Sequence, residues 1–290
     1  MRKILLTGKN GQVGWELQRT LATLGEVVAV DRQGMDLANP DSIRHCIREV
    51  KPDLIVNAAA YTAVDKAESE VGLAIAINGI APGIMAEAAK KLGTLLVHYS
   101  TDYIFDGAKS GPYTEDDQPN PLNAYGSSKL AGERAIAASG ARYLIFRTSW
   151  VYGARGKNFL RTILRLAQER DELRIVDDQV GAPTWCRAIA EATAQVLACT
   201  QARAASDASA TCHLSAAGSA SWCGFAKAIL EGSGRSCKVV PIPSSEYPLP
   251  ARRPANSVLS NARLNARFGI MLPDWHEGLR ECLSAMTEPG

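Results

Sequence analysis

Lys3-Ile4-Leu5-Leu6-Thr7-Gly8-Lys9-Asn10-Gly11-Gln12-Val13-Gly14 opens with an apolar run of strand length. It passes through a glycine-rich turn into a helical pattern of Val13, Leu17, Leu21 and Leu24. The reading is strand, tight turn, helix. Gly8, Gly11 and Gly14 suit a turn whose backbone approaches a pyrophosphate, with the N–H groups of the helix start facing the anion. Nucleotide binding is therefore the first expectation.

Working outward, Val27 to Val30 reads as a second strand ending in Asp31-Arg32, where a parallel sheet delivers side chains to an adenosine ribose. Asp31 suits a free 2'-hydroxyl and Arg32 a 2'-phosphate, so NADH and NADPH both stay open. Asp36 either meets the adenine or supports the turn before Asn39-Pro40, a helix start with Asn39 as cap. Asp53 to Asn57 is a third strand, followed by the small residues Ala58-Ala59-Ala60 before Tyr61-Thr62; they admit a flat ligand or serve tight packing. A helix over about 72–91 leads to a fourth strand, Thr94 to Tyr99, with Ser100-Thr101-Asp102-Tyr103 at its exit. These are either substrate-binding groups at the carboxyl end of a central strand or turn formers. Tyr143 to Thr148 is a further strand, and Trp150 at its exit offers a flat wall or plain packing. Strands alternating with helices imply an α/β fold, a Rossmann-like doubly wound parallel sheet with right-handed crossovers.

Tyr125 and Lys129 lie four residues apart in a helical stretch and share a face. A phenol is a poor proton donor or acceptor at neutral pH unless a neighbouring cation stabilises its phenolate, and Lys129 is placed to be that cation. His98 reads as a core residue. Later segments include a basic amphipathic helix over 158–169, a polar, alanine-rich surface loop over 200–211, and Pro248 to Pro254, a stiff segment carrying Arg252 and Arg253. Those guanidinium groups either bind phosphate, are solvated, or pair with surface carboxylates.

The chain has 290 residues, 46% hydrophobic, with 32 basic and 30 acidic side chains for a net charge of +2. That balance gives no electrostatic case for a nucleic-acid polymer or an anionic membrane as main partner. No run approaches the roughly 18 uninterrupted apolar residues of a membrane span, so a cytoplasmic protein is expected. The seven cysteines are scattered, without Cys-x-x-Cys or matching histidines, and read as free thiols.

The motifs together resemble the extended short-chain dehydrogenase/reductases. Gly8 to Leu17, Ala63 to Glu68, His98 to Tyr103, Phe146 to Tyr152, Asp178 to Thr184 and Arg253 to Ser257 resemble, more closely, the dTDP-4-dehydrorhamnose reductase family. The resemblance implies reduction of the C4 ketone of dTDP-4-dehydro-β-L-rhamnose by NADPH or NADH. Its catalytic residues would be Thr101, Tyr125 and Lys129. Gly11, Gln12, Val13, Asp31, Asp36, Leu37, Ala60, Tyr61, Thr62 and Tyr99 would contact cofactor, with Gly8, Gly14, Arg32, Tyr125 and Lys129. Thr101, Asp102, Trp150 and Arg253 would meet the dTDP-sugar. Residues 1–150 with 183–216 would form the dinucleotide-binding domain, and 151–182 with 217–290 the sugar-nucleotide domain. Tyr103 stands where related 4,6-dehydratases carry an acid, which favours simple reduction. Some relatives dimerise through magnesium; Glu16 is present, but Arg187 replaces an acidic ligand, so a metal is doubtful and the chain is a monomer or homodimer. A non-catalytic regulatory subunit of the same fold and a sugar-nucleotide epimerase or dehydratase are the competing readings.

Overall fold

The computed structural model describes residues 2–201 and 209–287. The first half alternates strand and helix: β1 (Lys3–Thr7), α1 (Gln12–Leu21), β2 (Glu26–Val30), α2 (Pro40–Val50) and β3 (Leu54–Asn57). Then come α3 (Val64–Ala67), α4 (Val71–Ile75), a π-helical turn (Ala76–Ile80), α5 (Ala81–Leu92), β4 (Leu95–Thr101), α6 (Ala124–Ser139) and β5 (Arg142–Thr148). These strands, with the later β10, form a parallel six-stranded sheet in the order β10-β5-β4-β3-β1-β2. Such a sheet is buried on both faces, which is why β3 and β4 are apolar runs without alternation. The order reverses direction between β1 and β3, opening a crevice at the strand ends where Thr7, Asn57 and, one strand further, Thr101 stand.

The second half comprises β6 (Val151–Tyr152), α7 (Phe159–Glu169), β7 (Glu172–Val176), β8 (Val180–Gly181), β9 (Thr184–Trp185), α8 (Cys186–Gln201) and β10 (Ala210–His213). It continues with β11 (Ala220–Ser221), α9 (Trp222–Gly232), β12 (Lys238–Ile242), α10 (Ala262–Phe268) and α11 (Trp275–Thr287). Helix α8 and strand β10 return to the sheet. Leu264 of α10 and the following Ile270 and Leu272 also join the core on the α1–α8 side of the sheet, whereas α7, α9 and α11 enclose a separate core around Phe225, Ile229 and Trp275. The amphipathic pattern of α7 explains this, because Leu160 and Ile163 face inward while Arg161 and Arg165 face out.

Two boundaries differ from the sequence reading. Strand β4 runs on to Thr101, since Ser100 and Thr101 pair with Arg147 and Thr148 of β5 and are ladder residues rather than a turn. The loop expected over 200–211 is shorter at both ends: Thr200 and Gln201 complete α8 and Ala210 begins β10, while residues 202–208 lie outside the described residues. The helical run Val71–Leu92 is long and apolar enough by composition to cross a membrane. Its inward side is packed against α6 and the sheet, as the buried Ala81, Ile84, Met85 and Ala89 show. Helices in this layer approach at backbone distance: a Cβ on Gly132 would lie 2.1 Å from the Asn78 carbonyl oxygen.

Candidate active site

The end of β4 and the first turns of α6 bring Thr101, Tyr125 and Lys129 together. Asn123 caps α6, its Oδ1 accepting the Gly126 N–H at 2.8 Å, and this starts the helix two residues before the phenol. Gly126 must be glycine, because a Cβ there would meet the Tyr103 carbonyl oxygen at 2.1 Å; the contact presses α6 onto the β4 exit. Tyr103 packs edge-on against Tyr125, ring centroids 5.7 Å apart. Burial pushes the Tyr125 phenol up to about 12, the nearby Thr101 hydroxyl draws it partly back, and the Asp102 charge pushes it further up.

Asp102 is the least solvated acid of the site, 2% exposed. Its Oδ1 accepts the Thr101 hydroxyl at 2.9 Å, while Oδ2 has no hydrogen-bond partner among the described residues. Burial raises its carboxyl to about 6, tempered by the neighbouring Ser257, Thr101 and Ser149 hydroxyls.

Lys129 Nζ donates to the Tyr99 carbonyl at 2.5 Å and lies 3.4 Å from His98 Nε2, which places the ammonium against β4. Burial lowers the amine itself to about 8, against a smaller opposing pull from Glu133. One turn further along α6, Glu133 makes a two-pronged ion pair with Arg147 of β5, Nη2 to Oε2 at 2.8 Å and Nε to Oε1 at 3.1 Å, both side chains 7% exposed. This pair fastens α6 to the sheet.

The glycine turn is built for close approach. A Cβ on Gly14 would sit 2.1 Å from the Gly8 carbonyl oxygen, and one on Gly8, at φ +74°, 2.8 Å from the Ala59 N. The turn therefore presents bare backbone before α1, as a pyrophosphate needs. Gln12 Oε1 accepts the Asn158 amide at 2.9 Å and Val13 is half-buried beside it. At the end of β2, Asp31 Oδ1 accepts the N–H groups of Gln33 and Gly34, and Lys9 Nζ lies 3.3 Å from Oδ2. The Lys9 ammonium and these N–H groups hold the Asp31 carboxyl below its usual range. Arg32 extends into solvent, 3.7 Å from Asp36, so two cations flank the ribose corner where the sequence reading counted one. Ala60, Tyr61 and Thr62 line the β3 exit, with the Tyr61 hydroxyl on Glu70 at 2.7 Å.

Two expected cofactor contacts turn inward. The Tyr99 ring shares the α1–α8 face of β4 with Leu95 and Val97, and its hydroxyl bonds Thr193 of α8 at 2.8 Å; the carbonyl, not the phenol, faces the site. The Leu37 side chain packs into the core with Met35 and Ile43, leaving only its backbone to a ligand. Asn78 in the π-helical turn went unnoticed in the sequence. Its side chain accepts the Tyr61 N–H at 2.8 Å, donates to the Tyr61 carbonyl at 2.9 Å and reaches Ser128 Oγ at 3.0 Å, tying the β3 exit to the residue before Lys129. An asparagine in an otherwise apolar helix was the available signal.

A cavity of about 920 Å³ lies beside this cluster, between α7, β7, β12 and the segment 244–253. It is lined by Phe159, Trp222, Arg174, Arg252 and Arg253 among others, and by none of Thr101, Asp102, Tyr125 or Lys129. Arg253 joins the two regions: its guanidinium takes Asp65 on two prongs, at 2.9 and 2.7 Å, and lies near Tyr103. Its fork is thus engaged by Asp65, the carboxylate pairing that was one reading of this segment; Arg252 is exposed at the same cavity, whose lining also includes Arg170 and Arg174. Trp150 is held at φ +47°, and one ring face is stacked on Trp222 at 3.5 Å, so Trp222 shares the wall expected of Trp150 alone.

The Glu16 carboxylate, weighed above beside a doubtful magnesium, has partners within the chain. Glu16 Oε2 accepts from Arg187 Nε at 3.2 Å and lies 3.9 Å from Arg19, so cations of the chain itself already occupy this carboxylate. No grouping of three His, Cys, Asp or Glu suited to a metal exists among the described residues.

A doubly wound sheet with a glycine turn, a hydroxyl at the end of the central strand and Tyr-x-x-x-Lys on the next helix defines the extended short-chain dehydrogenase/reductases. The family described as RmlD substrate binding domain matches residues 1–288. A dTDP-4-dehydrorhamnose reductase of Burkholderia thailandensis is 55% identical, the alignment covering 97% of this chain and 98% of the relative. The crystal structure of a dTDP-4-dehydrorhamnose reductase from Clostridium acetobutylicum superposes with a TM-score of 0.93 at 40% identity, covering 99% of this chain and 100% of the other. That of the Bacillus anthracis enzyme, in complex with NADP, gives 0.92 at 35% identity, covering 98% and 100%. The chain belongs to the dTDP-4-dehydrorhamnose reductase family.

Proposed function

We propose that this protein reduces the C4 ketone of dTDP-4-dehydro-β-L-rhamnose to dTDP-β-L-rhamnose, the final step in making that activated sugar, at the expense of NADPH or NADH. The observation that carries this reading is full-length similarity at 55% identity to a reductase of that name, joined to an intact Thr101, Tyr125 and Lys129 cluster. A bound reduced nicotinamide would supply the hydride to C4. Tyr125 donates the proton to the oxygen that becomes the alcohol; its raised pKa keeps the phenol protonated at neutral pH, the form a reduction requires. Thr101, whose single hydroxyl proton goes to Asp102 in the structure, turns that proton to the same oxygen when substrate is bound. Lys129, anchored on the Tyr99 carbonyl, supplies the positive field beneath the site.

The glycine turn with Gly8, Gly11, Gln12, Val13 and Gly14 holds the pyrophosphate, and Lys9, Asp31 and Arg32 hold the adenosine ribose. Asp102 and Trp150 meet the sugar, and Arg252 the diphosphate. Residues 1–150 with 183–216 serve the dinucleotide and 151–182 with 217–290 the sugar nucleotide, a division supported by the separate core around Phe225. The protein acts in the cytoplasm, as a monomer or homodimer without bridging metal.

The test is to follow reduced-nicotinamide absorbance as the protein meets dTDP-4-dehydrorhamnose, with the product identified. Tyr125→Phe should lower kcat by about 100-fold or more while cofactor affinity changes little. Turnover unchanged in this variant removes Tyr125 from the mechanism. Cofactor binding without oxidation in the unaltered protein would favour a regulatory subunit or a different sugar nucleotide.

A further inference from the structure

A polar thread crosses the sheet beneath the site. Register places Thr7 of β1 beside Asn57 of β3, and Asn57 beside His98 of β4, so the three side chains emerge together on one face. The Thr7 hydroxyl lies 2.7 Å from Asn57 Oδ1, Asn57 Nδ2 lies 3.0 Å from His98 Nδ1, and His98 Nε2 lies 3.4 Å from Lys129 Nζ. Thr7 also accepts the Ala59 N–H at 3.2 Å, which connects the thread to the loop leaving β3. All four side chains are at most 2% exposed. Buried polar groups in such a line are costly unless each is satisfied by the next.

We propose that Thr7, Asn57 and His98 form a hydrogen-bond relay that seats the Lys129 ammonium, with His98 the positioning residue whose Nε2 lone pair accepts from it. The argument is one of donors and acceptors. An ammonium only donates, so a ring nitrogen facing it must carry no proton. The ring proton then lies on Nδ1 and is given to the Asn57 carbonyl oxygen once the amide is turned over from the orientation in the structure, which puts its nitrogen on Thr7, whose hydroxyl can accept. When Lys129 is a neutral amine, the thread reverses: Thr7 donates to Asn57, Asn57 to Nδ1, and Nε2–H to the amine. The two polarities correspond to the two charge states of Lys129. A charged imidazole fits neither, and burial together with the Lys129 charge holds His98 well below its usual range. The other groups facing Lys129 are the Tyr99 carbonyl of β4 and, on its own helix, Glu133, which is engaged by Arg147 of β5.

The kinetic part of the test rests on the reductase reading; the spectroscopic part does not. In ¹⁵N-histidine-labelled protein below pH 7, His98 should be neutral with its proton on Nδ1. Its Nε2 signal should step as Lys129 titrates near pH 8, and Lys129→Met should abolish the step. A proton on Nε2 below pH 7 overturns the relay. His98→Leu removes the acceptor, so Lys129 loses its proton at lower pH: the alkaline limb of kcat should fall by about 1 pH unit, with kcat about 10-fold lower and cofactor KM held within about 2-fold. His98→Gln, which can still accept, should restore both. An unshifted limb in His98→Leu overturns the proposal, and if that variant does not fold, the tautomer in the unaltered protein decides. Absence of any cofactor oxidation by the unaltered protein would count against the reductase reading alone, because the His98 tautomer is measured without turnover.

Discussion

Replacing Asp102 with Asn should make the protein more stable and less active at once. Burial raises this carboxyl from an ordinary 3.8 to about 6, so the folded chain holds its proton more tightly than the unfolded chain does. Between those values the folded state binds more protons, and stability falls as pH rises through the window, levelling off above about 6. A shift of about two units corresponds to about 3 kcal/mol, undiminished by solvent because the side chain is 2% exposed. Asparagine keeps an oxygen for the Thr101 hydroxyl and carries no charge. At pH 7.5 Asp102→Asn should therefore gain about 3 kcal/mol in denaturant unfolding, roughly 6 °C in Tm, and at pH 4 almost nothing. Turnover should drop, since the negative charge beside Thr101 and Tyr125 is gone. Equal gains at both pH values, or a loss at pH 7.5, would refute the assignment of a destabilising buried charge.

The buried pair offers a contrast. Glu133→Gln leaves Arg147 charged beneath the sheet and should cost about 3 kcal/mol, whereas Glu169→Gln, which breaks the exposed pair with Arg165, should change stability by less than about 0.5 kcal/mol; comparable costs in unfolding titrations would contradict the burial argument. Lys9→Ala and Arg32→Ala should each raise KM for NADPH more than KM for NADH, because only the former carries a 2'-phosphate. Equal changes would remove both from cofactor discrimination.

What the sequence disclosed follows from how local each signal is. The glycine turn, the Tyr125–Lys129 spacing and the apolar runs are written in adjacent residues, so strand, turn and helix could be placed before any coordinates. The partner of Lys129 could not: the Tyr99 carbonyl and His98 reach it only through the register of β4 against α6. Arg253 looked like a phosphate ligand because Asp65, which takes its fork, lies 188 residues away in sequence. The resemblance gave Tyr99 and Leu37 as cofactor contacts by residue and not by atom, because nothing local says which face of a strand or turn points inward. Trp222 and Asn78 were passed over for the same reason, as each gains meaning only from what packs against it.

The Trp150–Trp222 stack has an optical consequence. Trp150 follows the last sheet strand of the first half, Trp222 opens α9 of the second core, and their rings lie 3.5 Å apart within 3° of parallel. Two indoles in such contact share their excitation, and the strength of that coupling falls steeply with separation. The chain thus carries its own gauge of the cleft, readable in near-ultraviolet circular dichroism without a label, in which any ligand that parts the sheet from the cavity wall would announce itself.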